Sequence, residues 1–130
     1  MVERATEYFQ DLHFKITTGS RYLGGFVGSR SSCEEYVKGK VLSWETSVKD
    51  LSQAGEKYPQ ATYAGLQKCL QNEWQFLHRV IPDIGDLFAP VEETLNKHFF
   101  PALAGKVDIS EVSCELFALP VKFAGMAIPN

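Results

Sequence analysis

The sequence predicts a mainly α-helical fold with an N-terminal β-hairpin, a three-helix bundle, a short helix and an extended C-terminal tail. Three observations support this fold class. Apolar residues recur every three or four positions through the middle of the chain. A β-prone stretch with turn residues precedes them, and prolines stand where helices begin or end. With 130 residues, 45% hydrophobic and 22% charged, the chain has the composition of a soluble globular domain.

The first elements are a short helix over residues 3–9 and a β-hairpin. Residues 14–17 alternate between apolar and polar side chains, residues 18–20 supply turn residues, and residues 22–27 are β-prone again. A glycine pair interrupts the second strand. Such glycines weaken a strand and usually mark a bulge or a close approach of another backbone.

A long helix follows the hairpin and ends near Gly55. A serine at 31 or 32, each followed three residues later by a glutamate, has the spacing of a capping box, which predicts the start of the helix there. The apolar positions step by four and three residues, which is the spacing of a single helix face. They are Val37, Val41, Trp44, Val48 and Leu51.

Two further long helices are expected. The second begins at Pro59 and ends before Pro82, since proline suits a first helical turn and cannot continue a helix. The third begins at Pro90, and Phe100-Pro101 is expected to break or kink it. The apolar stripe of the second helix is Tyr63, Leu66, Leu70, Trp74, Leu77 and Ile81, and that of the third is Val91, Leu95 and Phe99. Because both tryptophans lie on these stripes, a core role is favoured over ligand stacking.

The end of the chain is predicted to be a short helix and a tail. Ser110 would cap a helix from Glu111 to about Phe117, and residues 119–130 would extend across the bundle. No repeat or linker divides the chain. We therefore expect one domain over residues 1–130, with the hairpin in 1–29, the bundle in 30–105, and the short helix and tail in 106–130.

Composition restricts the function classes. Thirteen basic and 16 acidic residues give a net charge of −3, so any case for nucleic-acid binding must be local. Cys33, Cys69 and Cys114 are too far apart for a metal knuckle or a disulfide framework. No signal peptide or membrane span is recognisable. The sequence thus predicts an intracellular protein, cytoplasmic or nuclear, without a membrane, metal or cofactor.

Three segments in order resemble one protein family. They are Ile16–Ser29, Tyr58–Ala64 and Leu119–Lys122, which resemble the region downstream of the catalytic palm in reverse transcriptases of eukaryotic retroelements. In that family, a hairpin steadies the 3′ end of the primer, and the helices after it form a thumb against the template–primer duplex. The resemblance therefore implies a primer-grip hairpin followed by a thumb-like bundle.

The resemblance also implies nucleic-acid-binding residues. Glycines would let backbone N–H groups approach phosphates, and nearby cations would neutralise the phosphates. The implied contacts in the hairpin are Arg21, Tyr22, Leu23, Gly24 and Gly25, and the implied cations are Lys15, Arg30, Lys38 and Lys40.

No polymerase activity is expected of the chain alone. Polymerase chemistry needs closely placed carboxylates that hold two metal ions, and the sequence contains no Asp-Asp pair. The expected partners are an RNA–DNA or DNA template–primer duplex and a separate palm-and-fingers polypeptide, with self-association through apolar surface. Two alternatives remain open at this point: a helical protein-interaction module, and a decayed retroelement fragment without activity.

Overall fold

The computed structural model describes residues 2–9, 16–105 and 111–128, and most of them are helical. Helix α1 spans Val2–Phe9. Strands β1 (Gly19–Tyr22) and β2 (Gly25–Gly28) pair as an antiparallel hairpin. Several helices follow the hairpin. The structure thus confirms a mainly α fold with a small N-terminal hairpin.

The hairpin turn lies at Leu23-Gly24, so the turn predicted at residues 18–20 is wrong. Leu23 and Gly24 both have positive φ angles, +47° and +85°. Positive φ at both central residues is the geometry of a type I′ turn, whose twist matches that of the flanking strands. Gly19 and Ser20 instead pair in β1, opposite Gly28 and Val27. Of the predicted first strand, residues 14–17, the first two lie outside the described residues and the last two are not in a strand.

Helix α2 spans Arg30–Gly55 and presents the predicted stripe to the core. Its N-cap is Ser29, whose side chain accepts a hydrogen bond from the Ser32 N–H, so the helix begins earlier than the capping-box pattern predicts. A serine oxygen at this position satisfies one of the N–H groups that a helix start leaves unpaired. Four stripe residues are buried, and the fifth is half-buried: Val37, Val41, Trp44, Val48 and Leu51.

The other two long helices each contain a π turn. Helices α3 (Pro59–Gly65) and α4 (Gln71–Val80) flank one at Leu66–Leu70. A 3₁₀ turn at Gly85–Phe88 leads into α5 (Ala89–Thr94), and a second π turn at Leu95–Phe99 joins α5 to α6 (Phe100–Leu103). The second long helix begins at Pro59, as predicted, and the third begins at Ala89, one residue before the predicted Pro90.

The expected end of the third helix at Phe100-Pro101 does not occur. Phe100 keeps helical angles, with φ −63° and ψ −44°, and its N–H bonds to the Leu95 carbonyl five residues back. Proline normally disfavours these angles in the residue before it and clashes with the carbonyl four residues earlier. The widened π turn relieves that crowding, so the helix continues to Leu103.

The core lies where α2 meets the two π-containing helices. It includes both tryptophans, with Trp44 2% and Trp74 6% exposed, and their rings meet edge to face at 6.2 Å. This confirms the predicted core role. The other buried apolar residues among those described include Leu66, Leu77, Ile81, Ile84, Val91, Leu95, Phe99, Phe100 and Ile128.

The C-terminal segment is more folded than an extended tail. Helix α7 spans Glu111–Ala118, as predicted, although its expected cap Ser110 lies outside the described residues. A 3₁₀ turn at Val121–Phe123 follows, and the chain turns back so that the Ile128 N–H reaches the Phe117 carbonyl. Gln71 Nε2 donates to the Ala127 carbonyl at 2.9 Å, and the tail is thereby held against α4.

Candidate nucleic-acid interface

The hairpin is docked against α2 and α4 by aromatic contacts. The Phe26 ring stacks on Tyr36 of α2 with 5.0 Å between centroids, and the Tyr36 hydroxyl donates to the Gly24 carbonyl at 3.3 Å. A Cβ added at Gly25 would lie 3.1 Å from Val80 Cγ2. A side chain at Gly25 would therefore crowd Val80, so the hairpin and α4 approach closely here. The sequence indicated a bulge or the close approach of another backbone at this glycine pair. Gly24 instead lies in the turn, and the nearest neighbour of Gly25 is a helix side chain.

A cleft of about 380 Å³ opens between the hairpin, α2 and α4, and we call it the hairpin cleft. It brings together three of the residues that the sequence indicated, Arg21, Gly24 and Lys40. Arg21 pairs with Phe26 across the hairpin, so both side chains leave the same face of the sheet. The full lining is Arg21, Gly24, Lys40, Trp44, Asn72, Glu73, Phe76 and Leu77.

The charges of the hairpin cleft are organised by Glu73. Its Oε2 atom accepts a hydrogen bond from Trp44 Nε1 at 2.9 Å and lies 3.7 Å from Lys40 Nζ. Arg21 forms no ion pair with any residue that the structure describes. Two cations and one carboxylate leave one net positive charge in the cleft, and that charge is available on Arg21.

The tip of the hairpin presents apolar side chains to solvent. Tyr22 is 67% exposed and Leu23 is 81% exposed. Leu23 also holds a left-handed backbone conformation, which costs a residue with a side chain about 1–2 kcal/mol. A leucine exposed to this extent contributes little to the packing of the described residues.

The remaining predicted cations do not gather in the hairpin cleft. Arg30 Nε lies 3.0 Å from Glu34 Oε1, and its Nη1 lies 3.7 Å from Asp83 Oδ2, so its charge is already compensated. Lys38 is exposed, but two positions along a helix are about 200° apart around the axis. It therefore points away from the side that Lys40 occupies. Lys15 lies outside the described residues.

Sequence reasoning missed several residues of this site. Glu73 and Phe76 each precede a stripe residue of α4, and Tyr36 precedes the first stripe residue of α2. Positions beside an apolar stripe flank the helix interface, so a helical-wheel projection could have placed these three residues at its edge. No pattern indicated which partner they meet, because the periodicity of one helix does not indicate which other element packs beside it.

The described residues include no group of three or more histidine, cysteine, aspartate or glutamate side chains that could hold a metal ion. None of the described helices combines the length and apolarity needed to cross a membrane. Comparisons of the chain with protein-family models, curated proteins and solved structures found no match. The geometry of the hairpin cleft and the sequence resemblance are therefore the basis for a functional proposal.

Proposed function

We propose that this chain binds an RNA–DNA or DNA template–primer duplex as the primer-gripping hairpin and thumb-like bundle of a reverse transcriptase, without polymerase activity of its own. One observation carries the proposal. Arg21 of the hairpin and Lys40 of α2 line the same cleft, next to a docked hairpin whose tip is exposed. The ordered sequence resemblance supports the same function.

The contacts follow from the chemistry of the site. The Arg21 guanidinium, which has no ion-pair partner among the described residues, binds a backbone phosphate by charge-assisted hydrogen bonds. The Lys40 ammonium lies in the same cleft, but its charge is offset by Glu73, 3.7 Å away, so Arg21 supplies the net positive charge. The exposed ring of Tyr22 stacks on a base or packs against a sugar. These contacts read the backbone more than the sequence, as a primer grip requires.

The test is binding of the purified chain to a fluorescently labelled RNA–DNA hybrid over a range of salt concentrations. Neutralised phosphates release counterions, so the logarithm of the association constant should fall linearly with the logarithm of salt concentration. Arg21→Ala should weaken binding by about three- to ten-fold at low salt and reduce the magnitude of the salt slope by about one.

Lys57→Ala is the matched control. It also removes one positive charge, but it follows the end of α2, and that end lies about 22 Å along the helix from Lys40. At physiological salt this exceeds two Debye lengths, so at that salt concentration its binding should equal that of the wild type. No binding at low salt, or equal binding by the Arg21→Ala variant, would exclude this function.

We place this function inside the cell, in the cytoplasm or the nucleus. Cys33 and Cys69 are both free thiols, which suits a reducing compartment. Nucleic-acid partners of a reverse transcriptase are found in both of these compartments. Expression of a tagged chain followed by fractionation into cytoplasm, nucleus and medium tests the placement, and accumulation of folded protein in the medium would contradict it.

A second candidate function is docking to a separate palm-and-fingers polypeptide or to another copy of the chain. Its supporting observation is a short apolar surface near the C-terminus: Leu116, Leu119, Val121 and Phe123 are all exposed. Exposed apolar side chains close together in the chain favour protein association. Sedimentation across protein concentrations, with Phe123→Ser as the comparison, tests self-association. A monomer at all concentrations would leave only the polypeptide partner.

A further inference from the structure

Phe76 of α4 lines the hairpin cleft and remains accessible there. It is 40% exposed, although it stands between the buried stripe residues Trp74 and Leu77. A Cβ added at Gly24 would lie 3.5 Å from Phe76 Cε1, so one edge of the ring rests beside the hairpin turn. Gly24 and Phe76 both belong to the lining of the cleft. The cleft therefore contains an aromatic ring that the bundle leaves partly uncovered.

The same cleft also contains a cation. Arg21 lines it and has no ion-pair partner among the described residues. Single-stranded nucleic acid is bound by this combination, because a cation contacts the phosphate and a base stacks on the aromatic ring. The base and the phosphate of a nucleotide are joined by one sugar, so one nucleotide can reach both groups in a small cleft. The hairpin cleft, about 380 Å³, is of that kind, since small-molecule sites span roughly 300–1,000 Å³.

Tyr22 is not placed to serve the same nucleotide as Arg21. Arg21 shares its face of the hairpin with Phe26, whose ring packs on α2. Successive side chains of a strand leave opposite faces of the sheet, so Tyr22 points away from the helices, and it does not line the cleft. Trp44 does line the cleft but is only 2% exposed. Phe76 is therefore the ring available to a base whose phosphate binds Arg21.

The size of the cleft favours an unpaired base. A base inside a duplex is stacked on both sides, and an enzyme reaches it only by extruding it from the stack. That cost is smallest for a base that is already single-stranded. An unpaired nucleotide next to the end of a duplex can thus enter the cleft while the duplex itself stays outside.

We propose that the hairpin cleft holds one unpaired nucleotide at a strand end of the bound duplex, with its base stacked on Phe76 and its phosphate bound by Arg21. This inference rests on the proposed duplex function and adds the class of nucleotide that occupies the cleft. Every base has a π-face, so stacking on Phe76 accepts any base. The site therefore recognises the end of a duplex, whatever its sequence.

The experiment compares labelled RNA–DNA hybrids that differ only at the ends of the DNA strand. One is blunt, one extends at both ends by an unpaired deoxyadenosine, and one extends at both ends by an abasic nucleotide. The abasic extension is the matched ligand, because it keeps the sugar and the phosphate and lacks only the base. Fluorescence anisotropy at low salt should show the deoxyadenosine-extended hybrid binding at least about five-fold tighter than the abasic one.

Variants of the full chain assign this preference to the ring. Phe76→Leu should abolish the preference, because leucine is apolar but has no planar ring, and Phe76→Tyr should retain it. Phe123→Leu is the matched control. It is the same change at a phenylalanine that is 62% exposed and does not line the cleft, so the preference should persist. Arg21→Ala should weaken binding of both extended hybrids and leave the ratio between them unchanged, since both carry the phosphate.

The outcomes separate this inference from the duplex function. Equal binding of the deoxyadenosine-extended and abasic hybrids by the wild type overturns the inference, even where salt-dependent duplex binding stands. A preference that persists in Phe76→Leu also overturns it, because the base then stacks elsewhere. Free deoxyadenosine monophosphate in about ten-fold excess over the hybrid should not displace it, since the strand supplies further phosphate contacts. Displacement would assign the cleft to a free nucleotide and overturn the strand-end assignment.

Discussion

The indole N–H of Trp44 donates a 2.9 Å hydrogen bond to the Glu73 carboxylate, which also lies 3.7 Å from Lys40. The core of the bundle and the charge of the hairpin cleft are thus joined through a single carboxylate. Trp44 is 2% exposed, so its N–H needs an acceptor within the protein. Glu73 fulfils that structural need at the cost of a negative charge in a site proposed to bind phosphates.

Glu73→Gln should therefore strengthen duplex binding. A glutamine keeps an oxygen for Trp44 but removes the carboxylate charge, and Lys40 is released from its ion pair. We expect about five-fold tighter binding to an RNA–DNA hybrid at low salt, which corresponds to about 1 kcal/mol. Fluorescence anisotropy measures it. Glu45→Gln is the control, since Glu45 pairs with Lys49 on the other flank of α2. Unchanged or weaker binding would argue against the hairpin cleft as the contact surface.

Much of the bundle could be predicted because helix packing follows a short-range pattern. Each stripe residue of α2 lies three or four positions from the next, and burial of Val37, Val41, Trp44 and Val48 follows from that spacing alone. Proline at 59 and 82 marked the ends of the second helix through its missing N–H. These signals depend on neighbours in sequence, so no knowledge of the tertiary structure was needed.

The hairpin turn and the cleft could not be predicted because they depend on distant contacts. A leucine at positive φ is unfavourable locally, so Leu23 gave no indication of a turn. The conformation is held by contacts made elsewhere, such as the hydrogen bond from Tyr36 to the Gly24 carbonyl. In the same way, Arg30 and Lys40 are equivalent as isolated cations. The pair of Arg30 with Glu34 one turn later is indicated by spacing alone, but only the fold brings Asp83 to Arg30 and Glu73 to Lys40.

The strain at Leu23 leads to a prediction about stability. Leu23→Gly should raise the free energy of unfolding by about 0.5–1 kcal/mol, because glycine adopts positive φ without a steric penalty and the lost side chain is 81% exposed. Leu42→Gly is the matched control. Leu42 is also exposed, at 65%, but lies within α2, where glycine should lower the free energy by about 1 kcal/mol. Urea denaturation measures both variants.

Opposite signs for the two leucine variants would confirm that the backbone at Leu23 is strained, and a loss of stability in both would contradict it. The same pair also separates stability from function. If the Leu23 side chain contacts the primer, Leu23→Gly should be more stable and yet bind the hybrid more weakly. Such a combination is expected where strain is retained for a contact.

The two strands of the hairpin approach so closely at Gly28 that no side chain fits. A Cβ there would lie 2.5 Å from Gly19 Cα and 2.6 Å from the Thr18 oxygen. Both are backbone atoms that cannot rotate away. Gly28→Ala should therefore lower the free energy of unfolding by about 2 kcal/mol and speed amide hydrogen exchange across β1 and β2.

Gly39→Ala is the control for Gly28→Ala. Gly39 lies in the interior of α2 with open space around its Cβ position, so alanine should raise the free energy of unfolding by about 0.8–1 kcal/mol through its helix propensity. Denaturation curves and hydrogen exchange measure both. If Gly28→Ala left the stability and the exchange of the hairpin unchanged, the close strand approach would be refuted.

The pKa of Glu93 lies below its ordinary value, because Lys97 one turn later hydrogen-bonds to the carboxylate and adds a favourable charge. Lys97→Ala should return this pKa to the ordinary range. Side-chain ¹³C NMR titration measures the shift, and Lys49→Ala, which breaks the equivalent pair with Glu45, should leave the pKa of Glu93 unaffected.

The lowered pKa of Glu93 also makes stability depend on pH. It stabilises the folded chain at pH values above about 4.3, the pKa of an unfolded glutamate, and this contribution is lost as the pH falls through the lowered pKa. The stabilities of the wild type and Lys97→Ala should therefore differ at neutral pH by a small, salt-screened amount. They should approach each other in acid, and a difference that grew as pH fell would contradict this linkage.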